Sequence, residues 1–297
     1  MRKGWKPAAR VLALLCAVAL LASSGHAEGG AVQFVSSPSS GQPNDVEITV
    51  APSLIQAELG SFLWIAQTEV GTITVRNTGR LPVTVVGEFR DAVQDLWGTV
   101  AAGHTDMCSS LLRVEPASLM VAPGASGSMR IRAHPSVALE KKSGVAAVLS
   151  VTARPASRGL SAGVGLGPGL GTAVGTRVCV PVLVKPAGMR RTGSGQTWLA
   201  AKAIGYGPEG VWLDVRNVGP VYAWVSGKVE VRWAEERASI PVPLSLVLPG
   251  CTRRLVLEGW ADLSLPEGEH EVVVRLQGEQ PTTFALNFAT EASPGRP

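Results

Sequence analysis

The sequence predicts an all-β protein made of two tandem immunoglobulin-like β-sandwich domains. Two observations support this fold class. Short runs rich in Val, Thr, Leu and Trp are separated by Gly, Pro and Asn along the 297 residues, and no stretch sustains the 3.6-residue apolar period of a helix. One strand-and-turn pattern also occurs twice in the same order. Many short strands with regular turn signals are typical of a sandwich.

The N-terminal segment has the features of a secretory signal peptide. Residues 1–27 combine a basic start, an apolar run at 11–22 and small residues ending at Ala27. That run is shorter than the roughly 20 residues that cross a bilayer. We therefore expect cleavage after Ala27 and an exported protein that is periplasmic, secreted or at the cell surface. No membrane span is expected in the mature chain.

The charge distribution argues against a nucleic-acid-binding protein. The net charge is +4, but four basic residues lie within the first ten positions, which leaves 23 Lys and Arg against 23 Asp and Glu in the rest. Proteins that bind nucleic acid carry a concentrated basic face, and proteins that bind anionic membranes carry a polybasic segment. Neither is present in this sequence, so neither partner is expected.

An internal repeat defines the two sandwiches. The motif Val-Arg-Asn-x-Gly occurs at 75–79 and again at 215–219. A Pro-Gly pair then precedes a strand in each copy, and residues 143–153 align with 267–277. Asn and Gly tolerate positive φ, so Asn-x-Gly and Pro-Gly both predict turns. Two copies of one domain follow from three motifs in the same order.

The repeat also sets the predicted domain boundaries. The first sandwich is longer than the second because it contains two insertions, at 89–112 and in the Gly-rich loop at 154–176. The predicted parts are a disordered segment at 28–44, a first sandwich at 45–186, a linker at 187–196, a second sandwich at 197–291 and a tail at 292–297.

The strand at 177–185 is the best candidate for binding a partner. It alternates strictly, and Pro181 cannot donate a ladder hydrogen bond, which predicts a position at a sheet edge. An edge strand offers unpaired backbone groups to another chain, so strand addition is possible there. The alternative is that the strand only closes the first domain. The candidate partner-binding residues are Arg177, Val178, Val180, Val182, Val184 and Lys185.

The first domain closes with a long loop and an alternating strand that ends in Lys185-Pro186. With two immunoglobulin-like domains after a signal peptide, the chain resembles the PapD-like (periplasmic pilus-chaperone) superfamily over residues 45–290. It also resembles bacterial surface proteins with PapD-like ectodomains. The resemblance implies a chaperone-like factor that assembles pilus or surface-fibre subunits, with another exported protein as partner.

Pilus chaperones hold the carboxylate of a subunit with one basic residue in the first strand and one in the edge strand. They also lend an alternating apolar face to the subunit. The candidate first strand, 48–59, contains no Lys or Arg, and the edge strand has basic residues only at its ends, Arg177 and Lys185. The apolar alternation from Val178 to Val184 is retained.

No catalytic residue, metal site or cofactor is predicted. His104, Asp106 and Cys108 alternate in an insertion and are potential zinc ligands, but no fourth ligand accompanies them. Signal cleavage leaves three cysteines, an odd number. Cys108 and Cys179 form a possible disulfide, and free thiols are the alternative.

Two other non-enzymatic functions remain open. A structural cell-surface or cell-wall-associated module needs only the fold. A carbohydrate-binding module is suggested by Trp212, Trp224 and Trp233 in domain two, although tryptophans also pack in cores. Trp97 lies in an insertion and is the better candidate for an exposed contact.

Overall fold

A computed structural model describes ten ranges of the chain, namely 45–59, 68–105, 109–134, 144–156, 175–186, 198–207, 210–233, 235–259, 268–277 and 281–290. These ranges contain seventeen β-strands and one short 3₁₀ helix at Ser109–Leu111. The predicted all-β fold is therefore confirmed. No helix within the described ranges has the length and apolarity needed to span a bilayer.

Ten strands form the first sandwich. They are β1 Ile48–Ala51, β2 Ile55–Leu59, β3 Thr68–Asn77, β4 Val83–Gln94, β5 Val100–Gly103, β6 Leu112–Glu115, β7 Ser118–Val121, β8 Ser126–Ala133, β9 Val145–Pro155 and β10 Thr176–Pro186. One sheet has the order β1-β3-β8-β6, and the other has the order β2-β10-β9-β4-β5, with β7 also paired to β4.

Seven strands form the second sandwich. They are β11 Leu199–Gly207, β12 Gly210–Asn217, β13 Ala223–Trp233, β14 Glu236–Val247, β15 Thr252–Val256, β16 Gly268–Gln277 and β17 Thr282–Thr290. Their sheets have the orders β11-β12-β15 and β14-β13-β16-β17.

Each sandwich has its own apolar core. Ile73, Met129 and Leu149 are fully buried in the first, and Leu213 and Leu276 are buried in the second. Alternation explains this arrangement, since successive side chains of a strand point to opposite faces and every second one reaches the core. Complete burial of such a side chain contributes about 1.5–3 kcal/mol.

The repeated Asn-x-Gly motif has the same structure in both sandwiches. The Asn77 side chain donates to the carbonyls of Leu81 and Val121, at 2.8 and 3.0 Å, and accepts from Gly79 N–H at 2.9 Å. Asn217 makes the equivalent three bonds to Val221, Val247 and Gly219 at the same lengths. Both asparagines are fully buried.

The Pro-Gly turn closes onto the same asparagine in each copy. Gly124 N–H donates to the carbonyl of Asn77, and Gly250 N–H donates to that of Asn217. Both glycines have a φ of 73°, a left-handed conformation that favours Gly. Two turns that are distant in sequence are thus joined through one buried side chain.

The alignment of the later strands in the repeat is wrong by one residue. Gly87 and Gly227 are 140 residues apart and equivalent, and they pair with Val151 and Leu276. Val151 therefore corresponds to Leu276, whereas the sequence alignment matched it to Arg275. A shift of one residue exchanges the two faces of a strand, so this correction decides which side chains face the core.

Several predicted segments lie outside the described residues. They are the signal peptide at 1–27, the segment at 28–44, the linker at 187–196, the tail at 292–297 and most of the Gly-rich loop.

Candidate partner-binding edge

The two halves of β10 have different neighbours. β9 pairs with it antiparallel from Thr176 to Val184. On the opposite side β2 runs parallel to it, but only from Val182 to Pro186. Among the described residues no strand lies on the outer side of Thr176–Pro181, which we call the open edge. The predicted edge position is therefore correct for the first half of β10 and wrong for the second half.

Hydrogen bonding farther along the sheet shows which backbone groups face the open edge. Gly87 N–H donates to the carbonyl of Ala117 at 3.0 Å, so it points away from β9. Gly87 pairs with Val151, and Val151 pairs with Val178. Because hydrogen-bonded and non-hydrogen-bonded pairs alternate in an antiparallel sheet, Val151 bonds toward Val178.

The same alternation then runs along β10. Val178 and Val180 direct their N–H and C=O groups to β9. Arg177, Cys179 and Pro181 direct theirs outward, and Pro181 has no N–H to lose. The open edge therefore presents two N–H donors, from Arg177 and Cys179, and three carbonyl acceptors.

The predicted apolar face of β10 points into the first sandwich. Val180, Val182 and Val184 are at most 1% exposed and belong to the first core, and Val178 is half-buried against it. The isolated sandwich uses this face for its own core because it is the apolar side of an alternating strand. The valine face expected to contact a partner is thus internal, except at Val178.

Two exposed side chains accompany the open edge. Arg177 donates from Nε to the hydroxyl oxygen of Ser150 on β9, and its charge remains solvent-exposed. Cys179 is exposed beside it. Cys108 lies outside the described residues, so the Cys108–Cys179 disulfide stays a prediction.

Lys185, in the covered half of β10, is already paired. Its Nζ lies 2.8 Å from Oε1 of Glu58 on β2 and 5.9 Å from the ring centroid of Tyr222 in the second sandwich. The Lys185 side chain is 18% exposed. Its charge is thus held by Glu58 and Tyr222, and Arg177 is the exposed cation of the strand. Sequence reasoning missed Glu58 because a parallel pairing across the chain leaves no local signal.

The first strand approaches the open edge from the other sheet. Thr176 Oγ1 donates to the carbonyl of Val46 at 3.0 Å, just before β1. Val50 of β1 and Val178 of β10 are both half-buried against the first core. β1 contains no Lys or Arg, so it offers apolar surface rather than charge.

The other residues singled out in the sequence do not form one site among the described residues. His104 is exposed, whereas Asp106 and Cys108 lie outside the described residues. Within the described part of the chain no group of three metal-ligand side chains occurs. Trp233 packs against the second core, and the Nε1–H of Trp224 donates to Gln56 at 3.3 Å. The guanidinium of Arg254 stacks on Trp212, 3.7 Å from the centroid of the indole ring. The three tryptophans therefore do not form one open platform.

Comparison with known proteins gave no match to a family model and none to a curated protein. Among solved structures the chain is similar to the YadV chaperone, with 13% identity, a TM-score of 0.41 and coverage of 80% of this chain and 99% of that one. It is also similar to the Pseudomonas aeruginosa CupB2 chaperone, with 16% identity, a TM-score of 0.38 and coverage of 82% and 100%.

A third similar structure is that of the Salmonella enterica SafA pilin in complex with the SafB chaperone. Its identity is 14%, its TM-score is 0.40, and 82% of this chain and 96% of that chain are covered. All three structures contain a chaperone. The likeness concerns the fold and assigns no role to any residue.

Proposed function

We propose that this protein binds another exported protein by accepting a strand along the open edge of β10, as a non-enzymatic, chaperone-like factor for pilus or surface-fibre subunits. The proposal rests on one observation: β2 pairs with β10 only from Val182 onward. The fibre-subunit class of partner comes from the family resemblance. Export, to the periplasm or the cell surface, is part of the same proposal.

Backbone hydrogen bonds supply the affinity. The open edge offers the N–H groups of Arg177 and Cys179 and the carbonyls of Arg177, Cys179 and Pro181. A strand that pairs there lies in line with β2 and continues the same sheet. Each such bond contributes about 0.5–1.5 kcal/mol net, so a few of them need side-chain contacts for stable binding.

Side chains at the open edge supply selectivity. Arg177 is exposed and favours an acidic residue opposite it, because oppositely charged cross-strand neighbours stabilise a pair. Val178 and Val50 are half-buried against the first core, so an apolar side chain of the partner that covers either of them gains further burial. The expected partner segment therefore alternates apolar and polar residues and carries an acidic residue.

Capture of the partner by a tagged protein, expressed in its native cells and isolated from the envelope fraction, tests this proposal. The informative variant is Cys179→Pro, which removes an outward N–H and places a ring in the path of the incoming strand. Cys179→Ala is the matched control, because it removes the thiol and keeps the N–H. Ser239→Pro is the second control. Ser239 is an exposed position of edge strand β14 with the same orientation as Pro241.

The expected result is that Cys179→Pro loses the captured subunit while Cys179→Ala and Ser239→Pro retain it. Circular dichroism and thermal unfolding must show that all three variants fold. Retention of the same partner by folded Cys179→Pro would overturn binding at the open edge. If no fibre or surface subunit is captured by the unmodified protein, the chaperone role is overturned and a structural surface module becomes the better account.

A further inference from the structure

The hairpin between β4 and β5 reaches from the first sandwich to the second. Its turn is closed by Asp95, whose carboxylate accepts from Thr99 N–H at 2.8 Å. That hydrogen bond holds the pKa of Asp95 below its ordinary value. Two further backbone bonds, between Asp95 and both Gly98 and Thr99, complete the turn. The tip of the hairpin is therefore held in one conformation by its own hydrogen bonds.

Gln94, at the base of this tip, bonds the second sandwich with both ends of its amide. Nε2 donates to the carbonyl of Leu246 at 2.9 Å, and Oε1 accepts from Leu248 N–H at 3.0 Å. Leu246 and Leu248 are two residues apart at the end of β14. The Gln94 side chain thus bonds one carbonyl and one N–H of the second sandwich, which is the pattern that a neighbouring antiparallel strand makes.

The tip itself contacts β15. The carbonyl of Leu96 accepts from Arg254 N–H at 2.6 Å. The guanidinium of Arg254 lies 5.9 Å from the ring centroid of Trp97 and 3.7 Å from that of Trp212. It also makes two hydrogen bonds to Asp214, at 2.8 and 2.9 Å. A bidentate pair orients a guanidinium strongly, so Arg254 offers Trp97 a fixed surface.

Gly98 allows the tip to lie this close. Its φ is 90°, and a Cβ atom at this position would overlap the guanidinium of Arg253. Arg253 in turn donates from Nη1 to the carbonyl of Leu246 at 3.0 Å. The positive φ favours glycine at this position, and the absent side chain leaves room for the Arg253 guanidinium.

A shared apolar cluster lies beside the hairpin. It contains Ala146, Val148 and Leu183 from the first sandwich and Tyr222, Leu246 and Leu248 from the second, together with Ala92. Leu183 belongs to the covered half of β10, so the second sandwich packs directly against the strand that carries the open edge. Apolar contact of this kind is non-directional and does not by itself set an angle between domains.

We infer that the hairpin at 94–99 is a clamp that makes the two sandwiches unfold as one cooperative unit and keeps the second sandwich at a fixed position against β10. The hydrogen bonds of Gln94 and Leu96 are directional, and Trp97 adds a cation–π contact with Arg254 at 5.9 Å. These contacts fix the orientation of the two sandwiches, which the apolar cluster does not. Inter-domain interfaces within a chain are otherwise expected to permit relative motion.

Differential scanning calorimetry of the full chain tests the clamp without any partner. We expect one transition, with a ratio of calorimetric to van't Hoff enthalpy of about 1, as for a two-state unit. The double variant Gln94→Ala/Trp97→Ala is expected to raise this ratio well above 1 or to show two transitions. The matched control is Gln56→Ala, which removes another side-chain bond between the sandwiches, that to Trp224. It should leave the ratio unchanged.

Small-angle scattering provides a second readout on the same proteins. The double variant is expected to have a larger radius of gyration than the unmodified chain, while Gln56→Ala keeps the original value. Two independent transitions in the unmodified chain would overturn the inference. A folded double variant with an unchanged enthalpy ratio and radius of gyration would also overturn it. Both results are independent of partner binding.

Discussion

Strand β9 of the first sandwich and strand β16 of the second occupy equivalent positions in a duplicated frame, but they are buried differently. From Val145 to Val151 every residue of β9 is buried, whereas β16 alternates between exposed and buried residues after Glu269. The outward residues Ala146 and Val148 belong to the shared apolar cluster. Their counterparts on β16, Glu271 and Val273, are exposed and half-exposed.

The difference shows that the duplicated domains have separate surface roles. The outward face of the β9 sheet docks the other sandwich, and the outward face of the β16 sheet is left to solvent. The outward positions Ala146 and Val148 on β9 are apolar and buried, whereas on β16 the outward positions Glu271 and Arg275 are charged and exposed. The same substitution made at equivalent positions of the two sandwiches therefore distinguishes the stability of the common fold from the stability that the contact between the sandwiches contributes.

The largest difference is expected for Val148→Lys against Val273→Lys. Val148 is fully buried between the sandwiches, so the lysine ammonium would lose its hydration there. A buried, unpaired charge costs roughly 3–5 kcal/mol. Val273→Lys places its charge on the outward face of the sheet, opposite Glu230, and should change the free energy of unfolding by about 0.5 kcal/mol or less. Urea unfolding measures both, and equal effects would contradict the assigned interface.

The two buried asparagines should respond alike. Asn77→Ala and Asn217→Ala each remove three hydrogen bonds and leave two carbonyls, all of them buried except the partly buried carbonyl of Leu81, without their donor. We expect each to lower the free energy of unfolding by roughly 3 kcal/mol, since an unsatisfied buried group costs about 1–3 kcal/mol. The same urea titration applies. A loss below about 1 kcal/mol at either position would show that the two turns are not joined in this way.

A smaller, pH-dependent difference is expected at Asp91, which takes the place of the core residue Val231 in the second sandwich. Its carboxylate accepts from Thr105 N–H and Ser109 N–H, at 3.1 and 2.7 Å, and so ties the insertion to β4. Burial alone would raise the pKa of Asp91, but the hydrogen bonds from Ser109 and Thr105 outweigh it and lower the pKa.

A lowered pKa in the folded state contributes stability above the pKa of the unfolded state. That contribution is lost as the pH falls toward the folded pKa. Asp91→Asn should therefore cost about 1 kcal/mol at pH 7 and less at pH 3. Unfolding of both proteins at the two pH values measures this, and a gap that widens at pH 3 would contradict the assignment.

The sequence predicted the frame better than the contacts between its parts. Alternation and the repeated Asn-x-Gly turn are local signals, and they were enough for the all-β fold. The register of β16 against the first copy was wrong by one residue because a strand alignment without fixed pairing partners can slip. The correct alignment of β9 with β16 follows from the pairing partners of the equivalent residues Gly87 and Gly227.

The candidate site was predicted in part for similar reasons. Pro181 correctly indicated a sheet edge in the first half of β10. The second half of β10 is covered by β2, which pairs in parallel with it from more than a hundred residues away in the sequence. The alternating valines were visible, yet alternation does not say whether an apolar face meets a partner or the chain's own core. Trp97 was expected to be exposed and is 48% exposed, but its contact with Arg254 is long-range and had no local signal.

Residue-resolved amide hydrogen exchange of the free protein tests the open edge most directly. We predict that the amides of Arg177 and Cys179 exchange at least about a hundredfold faster than those of Val178 and Val180, which bond to β9. The amide of Leu183, facing β2, should be protected like those of the two valines. If the amides of Arg177 and Cys179 are protected to the same degree as that of Val178, the outer side of β10 is already occupied and the account is contradicted.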